Sequence, residues 1–570
     1  MDEISPNNLA FYWSSIFIRE LHRCGLRHVI LSPGSRSSPL TLASAVHKGM
    51  HDHVTLDERS AAFTALGIGK SSGKPALLIC TSGTAAANYH PAVIEARKSG
   101  VAMIVATADR PPMHREIGTS QSIDQLKLYG DYPVLFHEVG EPVADSADFR
   151  RLGLLADQAF TVSIARNGPV HLNFPFRKPL EPDPHFVETI KNDIDLSLDN
   201  EQIQHTELYR DRSPMKLFPS VHERLEKSDR ALVIAGPLNP FENEQAPLQL
   251  AEHIGAPLLA DPGIAALSEN RIAGYDNLLQ DKSFIKDNPP DLILRFGRQP
   301  VSKIVNHLLE NSDAVQIHFS SLDEWQDYTF STDIRVEWNN RPIDLDTIPR
   351  ANNTEWLKIW AERSDSFVNA REKMLADTDK LTDGHVFHTI STQVPGHWNL
   401  FLSNSFPVRD YPLFGSPGGQ PVYVNRGASG IDGITSMAIG ATIDSGQPGL
   451  LFIGDLAFLH DANALLNHDK LKAPLVVVIL NNRGGTIFRM LPIAEHQAYF
   501  RKYFETPQNA DIKKLSEAHG LQYHRIERKP QLGDINLDSF RKVPGIHIIE
   551  CRTDPDASME LRRACWKWSR

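Results

Sequence analysis

Cysteine is scarce: only Cys24, Cys80, Cys551 and Cys565 occur in 570 residues, widely scattered and without a CxxC pair. That distribution favours reduced thiols serving as small core residues in a cytosolic setting over a disulfide framework. Long apolar runs are also missing. No segment reaches the roughly 20 residues needed to span a bilayer, so stable membrane insertion is not expected. The amino terminus, Met1-Asp2-Glu3-Ile4-Ser5-Pro6, has no basic region followed by an apolar stretch. No secretory signal is therefore visible, and a cytoplasmic location is expected. Positive charge is in deficit, with a formal net charge of −11. This argues against general affinity for nucleic acid or anionic membranes, and any anionic substrate would need a local cluster of Arg and Lys.

What is present is ordinary soluble composition, 41% hydrophobic and 23% charged. The length corresponds to about three to four domains, each able to bury its own core. An amphipathic helix is expected over residues 9–21, then strands at 28–31, near Leu77 and near Ile104, and an edge-like strand at 170–175. Pro179, Pro182 and Pro184, followed by a polar stretch to Asn200, mark a boundary. The middle region has its own rhythm of strands at 231–236, 258–259, 292–297 and 314–317, several closing on Gly. Without a GxGxxG motif it reads as a Rossmann-like domain whose nucleotide role stays open. A helix rich in Trp, Lys and Glu begins at about Asn352. The alternating periodicities predict an α/β chain of three doubly wound domains with mostly parallel sheets, at residues 1–185, 186–352 and 353–570.

One constellation carries chemistry. Gly454-Asp455 closes the apolar run 450–453, and Asn482, 27 residues after Asp455, closes the run 475–480. Residues 457–471 show apolar positions at helical spacing, so the segment reads strand, helix, strand. A right-handed crossover makes the strands parallel and puts Asp455 and Asn482 near their carboxyl ends, where open α/β sheets bind ligands. A carboxylate and an amide carbonyl are hard oxygen ligands, too few to cage a divalent ion alone. Mg2+ prefers six oxygens at about 2.1 Å and takes the remainder from phosphates and water, so the spacing predicts a diphosphate together with a metal. A second copy of the scaffold is also visible. An offset of 373 aligns Gly67 with Gly440, Gly73 with Gly446, Pro75 with Pro448 and Ser82 with Asp455, and carried upstream it pairs Arg36 with Arg409 and Glu58 with Ile431. The first and third domains are therefore expected to be a divergent repeat.

Asp455 with Asn482, and Glu58 in Leu56-Asp57-Glu58-Arg59, resemble the thiamine-diphosphate enzyme superfamily. Four further segments, 32–37 (SPGSRS), 107–111 (TADRP), 425–433 (NRGASGIDG) and 481–485 (NNRGG), resemble one family within it. This is the 2-succinyl-5-enolpyruvyl-6-hydroxy-3-cyclohexene-1-carboxylate (SEPHCHC) synthases of menaquinone or phylloquinone biosynthesis. The resemblance runs through both outer regions and is looser in the middle. It implies decarboxylation of 2-oxoglutarate and 1,4-addition of the resulting succinyl carbanion equivalent to isochorismate. It also implies thiamine diphosphate with Mg2+ or Mn2+, held at an interface between self-associated subunits, as a dimer or a tetramer. The first domain would bind the pyrimidine and the third the diphosphate and metal.

Residue by residue, the resemblance implies Glu58 as the acid that activates the pyrimidine and Ile431 as an apolar wedge between the two rings. Gly484 would lend a backbone carbonyl to the metal beside Asp455 and Asn482. Ser405, Leu456 and Phe488 would touch the cofactor, an ordinary core role for Phe488 remaining open. Arg36, Arg110, Lys303, Arg409 and Arg426, with Ser35 and Gln121 as neutral donors, would bind the substrate carboxylates, for which arginine forks are suited. One departure stands out: Ile304 follows Lys303 where the family often has a second base, which leaves the middle region's share in substrate binding open. Two other functions remain: a different thiamine-diphosphate enzyme, such as a simple 2-oxoacid decarboxylase or acetohydroxyacid synthase, and a non-catalytic nucleotide or diphosphate sensor. Richness in Arg argues against a small monoanionic substrate, and a sensor has no need of Glu58.

Overall fold

The computed structural model describes residues 4–197, 211–348, 350 and 353–568. Asn352 and the last part of the polar stretch to Asn200, both named above as boundary markers, lie outside them. The earlier part of that stretch is a helix, Pro184–Ser197.

The first sheet holds β1 (His28–Leu31), β2 (His51–Val54), β3 (Leu77–Cys80), β4 (Met103–Asp109), β5 (Leu135–Glu138) and β6 (Pro169–Pro175). All its pairings are parallel, in the order β2-β1-β3-β4-β6-β5. The second holds β7 (Ala231–Ala235), β8 (Leu258–Ala260), β9 (Leu292–Phe296), β10 (Val315–Ser320) and β11 (Ile334–Glu337), parallel in the order β11-β10-β9-β7-β8. The third holds β12 (Asn399–Leu402), β13 (Val422–Val424), β14 (Gly449–Gly454), β15 (Pro474–Asn481), β16 (Gln522–Ile526) and β17 (Gly545–Arg552), parallel in the order β13-β12-β14-β15-β17-β16. The central strands are near-continuous apolar runs because a parallel sheet is covered on both faces. Leu475 to Ile479 of β15 expose nothing.

The third order is the first with β1 to β6 replaced by β12 to β17, so the repeat read from the sequence is one of topology. A helix pair carries it further. Backbone packing divides the chain into two compact units, one comprising Met1–Arg210, Gly427–Ser445 and Asp461–Lys470, the other Asp211–Arg426, Gly446–His460 and Leu471–Arg570. Within the first unit, helices Glu58–Ser72 and Ile434–Ser445 lie backbone to backbone. A Cβ on Gly67 would fall 2.0 Å from the Met437 carbonyl oxygen, and one on Gly440 would fall 1.9 Å from that of Thr64. The 373 offset maps Thr64 to Met437 and Gly67 to Gly440, so the contact is self-complementary, as across an approximate two-fold axis.

Three expectations are corrected. β6 is not an edge strand, since it pairs with β4 along its length and with β5 on the other side. Its polar residues face a buried network, in which Asn173 donates to Asp109 at 2.9 Å and Glu138 at 2.7 Å, and His171 meets Thr107 at 2.9 Å. Residues 457–471 are not one helix: Asp455–His460 is α-helical and Ala462–Lys470 is a 3-10 segment. The break falls at buried Asp461, whose carboxylate accepts the Ser436 amide at 2.7 Å and hydroxyl at 3.0 Å. Finally, the offset falls to 371 between β1 and β12, so Arg36 and Arg409 are not structural equivalents. Arg36 lies in a 3-10 turn and Arg409 in the helix Pro407–Phe414.

Gly440→Ala should lower the unfolding midpoint, because an added methyl at a closed backbone contact costs about 1–3 kcal/mol. Gly153→Ala, where a Cβ would meet nothing within 4 Å, should raise it through helix propensity worth about 1 kcal/mol. Urea titrations of the two variants check the contrast.

Candidate active site

In the third sheet the topological switch falls between β12 and β14, and the residues just past their carboxyl ends come together. Asp455, 5% exposed, opens the short helix after β14. Its Oδ1 accepts the Leu456 amide at 2.9 Å and its Oδ2 accepts the Gly484 amide at 2.8 Å. Gly484, at φ 120°, belongs to the turn after β15, and a Cβ there would meet the Glu505 carbonyl at 2.2 Å. Only glycine fits this turn, which brings its amide to Asp455. Asn482, also buried, donates from Nδ2 to Asp383 Oδ2 at 3.1 Å. The structure thus joins Leu456 and Gly484 to Asp455 by hydrogen bonds and puts Asn482 at the start of the same turn as Gly484.

Burial pushes Asp455 up to about 6 against the pull of the Leu456 and Gly484 amides, and the neighbouring charge of Asp383 pushes the same way. Among the described residues no cationic side chain pairs with it. No three His, Cys, Asp or Glu side chains among those residues converge as a metal cage either. A buried carboxylate without a countercharge, beside an amide whose nitrogen is already committed, fits a divalent cation that draws its other oxygens from a bound diphosphate. The donor set thus suits the group that the sequence implied.

Lys303 and Arg409 line one cavity of about 330 Å3, with Asp276, Ser302, Ile304, Phe406 and Trp566. Burial pulls Arg409 down from the usual guanidinium range, and Asp276, Asp410 and Asp261 counter that pull. Arg409 donates to the Ser405 carbonyl at 2.6 Å, and Ser405 holds a left-handed φ of 75°. Arg426 donates to Asn404, the neighbour of Ser405, at 2.9 Å. Ser405, Arg409 and Arg426 thus gather around the turn after β12. Ile304 lines the cavity and packs on the core, so an apolar group stands where a second base was looked for. Phe488 sits outside this group, edge-on to Phe504 at 6.0 Å.

In the other compact unit, Ser35, Arg36, Glu58 and Arg110 all follow carboxyl ends of the first sheet. Buried Arg36 spends one nitrogen on the Phe176 carbonyl at 2.8 Å, and its amide meets Thr81 across the β1/β3 switch at 3.3 Å. Arg110 donates to the Ser120 carbonyl at 2.8 Å, beside exposed Gln121 with φ 53°. Ser35 is exposed. Half-buried Glu58 is the first residue of its helix, capped by Asp57, and its carboxylate makes no hydrogen bond or ion pair among the described residues. Ile431 is half-buried just ahead of the Ile434–Ser445 helix.

Sequence reasoning missed Asp383, Asp410, Thr553 and Arg562, buried behind Asn482, and Asp276 in the cavity. Asp410 beside Arg409 was the only local hint. The others come from distant positions and carry no spacing signal.

Comparison with known proteins bears on the same two sheets. Residues 13–128 match the thiamine pyrophosphate enzyme N-terminal TPP binding domain and residues 419–551 the corresponding C-terminal TPP binding domain. The class is therefore that of the thiamine-diphosphate enzymes, and thiamine diphosphate is the cofactor. Among curated relatives, 2-succinyl-5-enolpyruvyl-6-hydroxy-3-cyclohexene-1-carboxylate synthase of Haloarcula marismortui is 37% identical, covering 97% of both chains. Those of Haloquadratum walsbyi, 35% identical over 98% of both chains, and Geobacillus kaustophilus, 34% over 97% of both, carry the same name. The chain belongs to this synthase family.

A carboxyl lifted from 3.8 to about 6 contributes stability that is complete below about pH 3.8 and lost as pH rises through 6. Between pH 4 and pH 8 the cofactor-free parent should therefore lose on the order of 3 kcal/mol of stability that Asp455→Asn does not lose, because the amide does not titrate, although it accepts only one of the two backbone N–H groups. Urea midpoints at the two pH values check this.

Proposed function

We propose that the chain decarboxylates 2-oxoglutarate and adds the succinyl carbanion equivalent 1,4 to isochorismate, on the way to menaquinone or phylloquinone. A divalent cation, Mg2+ or Mn2+, would sit on Asp455, Asn482 and the Gly484 carbonyl. The observation that carries the reading is the pairing of this uncompensated carboxylate with a cationic cavity in the same compact unit, suited to substrates bearing several carboxylates.

Bound thiamine diphosphate supplies the nucleophilic carbon and the electron sink of the reaction. The chain's own residues bind, orient and shift protons. Glu58, with no partner of its own, holds a proton between its carboxylate and the pyrimidine ring nitrogen, which makes the amino group on that ring a better base. Ile431 would supply an apolar side chain against the cofactor rings. Ser405, Leu456 and Phe488 border the cofactor. Arg36, Arg110, Lys303, Arg409 and Arg426, with Ser35 and Gln121 as neutral donors, take the substrate carboxylates. The nitrogens of Arg36 and Arg110 not committed to backbone carbonyls remain for this role.

The three sheets correspond in this reading to a pyrimidine-binding domain (1–185), a central domain (186–352) and a diphosphate-binding domain (353–570). Self-association as a dimer or tetramer completes the site. Its support is apolar surface beside Glu58, where Val54 is 56% and Leu56 68% exposed. No described helix is long and apolar enough to cross a membrane.

Mass spectrometry of the products formed with both substrates tests the reaction. A succinylated adduct of isochorismate is expected, and its absence alongside turnover of 2-oxoglutarate alone would reduce the enzyme to a decarboxylase. Glu58→Gln should cut kcat by about 100-fold or more, within the range of general acid–base effects, with Mn2+ affinity unchanged. Arg409→Ala should raise KM for 2-oxoglutarate more than it weakens cofactor binding. Steady-state kinetics with unchanged KM would remove Arg409 from the site.

A further inference from the structure

Behind Asn482 lies a buried ionic cluster that the proposed reaction does not use. Asp383, the first residue of helix Asp383–Ser391, is 0% exposed, and Asp410 and Arg562 are each 1% exposed. Asp383 Oδ2 accepts Asn482 Nδ2 at 3.1 Å and Arg562 Nη2 at 2.6 Å, and its Oδ1 accepts the Thr553 hydroxyl at 2.6 Å. Arg562 Nε donates to Asp410 Oδ1 at 2.8 Å, and its guanidinium carbon stands 3.7 Å from the Phe406 ring centroid. Asp410 in turn neighbours Arg409 on the helix Pro407–Phe414.

One physical point gives this cluster a task. A side-chain amide can be turned either way about its terminal bond, and the two orientations differ in which atom points outward. An ionised carboxylate accepts and never donates, so Asp383 holds the nitrogen of Asn482 inward and leaves the carbonyl oxygen facing away. A cation can use only that oxygen.

We infer that Asp383 is a positioning residue that presents the Asn482 carbonyl to the cation, with Thr553 and the Asp410-anchored Arg562 fixing the carboxylate. This rests on the assignment of Asn482 as a cation ligand, and the test separates the two claims. Mn2+ is titrated into the full chain at saturating thiamine diphosphate and free Mn2+ is read by electron spin resonance. Asn482→Ala should weaken Mn2+ binding, and unchanged affinity would overturn the ligand assignment and the inference together. Asp383→Asn should weaken Mn2+ binding by about 10-fold to 100-fold, the usual range for partners of metal ligands. In the Asn482→Ala background the same change should cost much less, because its target is gone. If Asn482→Ala weakens binding while folded Asp383→Asn binds as the parent does, or costs the same factor in both backgrounds, the inference alone fails. Thr553→Val removes only one hydroxyl and guards against a misfolded Asp383 variant. With circular dichroism unchanged it should weaken Mn2+ binding in the same direction by a smaller factor, and no weakening would overturn the role.

Discussion

Asp455 is a carboxylate taken out of water with only backbone amides to meet it, and much of its compact unit is arranged around that charge. The helix start after β14 and the turn after β15 deliver two N–H groups to its oxygens. Those bonds hold its geometry but leave it uncompensated, and burial lifts it to about 6. Such a group is costly in a purely structural role, since a buried ion normally pairs or neutralises. In the proposed reading a cation and a diphosphate would make it favourable, so that stability of the empty protein is traded for affinity toward a charged cofactor.

The positive side chains divide by what they already hold. In the middle sheet Arg295 and Arg298 are consumed by Asp327, at 3.4 Å, and Glu242, at 2.7 Å, and serve the fold. Lys303 and Arg409 instead share a cavity with Asp276. With a net charge of −11 overall, a local arrangement of this kind is what the proposed polyanionic substrates would need. Ile304 trims the cationic character of that cavity and ties its wall to the core.

The repeat has a mechanical consequence as well as a historical one. Two sheets of one strand order supply two carboxyl edges, one followed by Glu58 and one by Asp455. The helices Glu58–Ser72 and Ile434–Ser445 approach closely because Gly67 and Gly440 each admit the other helix's backbone. The positions that reveal the duplication in the sequence are the same positions that make the contact physically possible.

The α/β class, most strands, the divergent repeat and the placing of Asp455, Asn482 and Gly484 just past strand ends were legible in the sequence. Each depends on short-range order: periodicity 2 against 3.6, and turn residues at strand ends. The interior place of β6 was not legible, because His171 and Asn173 resemble solvent-facing residues until Thr107, Asp109 and Glu138 arrive from other strands to satisfy them. Nor was the division of residues 457–471, which is set by Ser436 meeting Asp461. Asp383, Asp410, Thr553 and Arg562 come from well-separated stretches of the chain and become one cluster only on folding. The sequence by itself determined the local geometry and the chemical types at the strand ends. Tertiary structure alone decided which of those groups lose water together, and it is shared desolvation that turns scattered polar residues into a site.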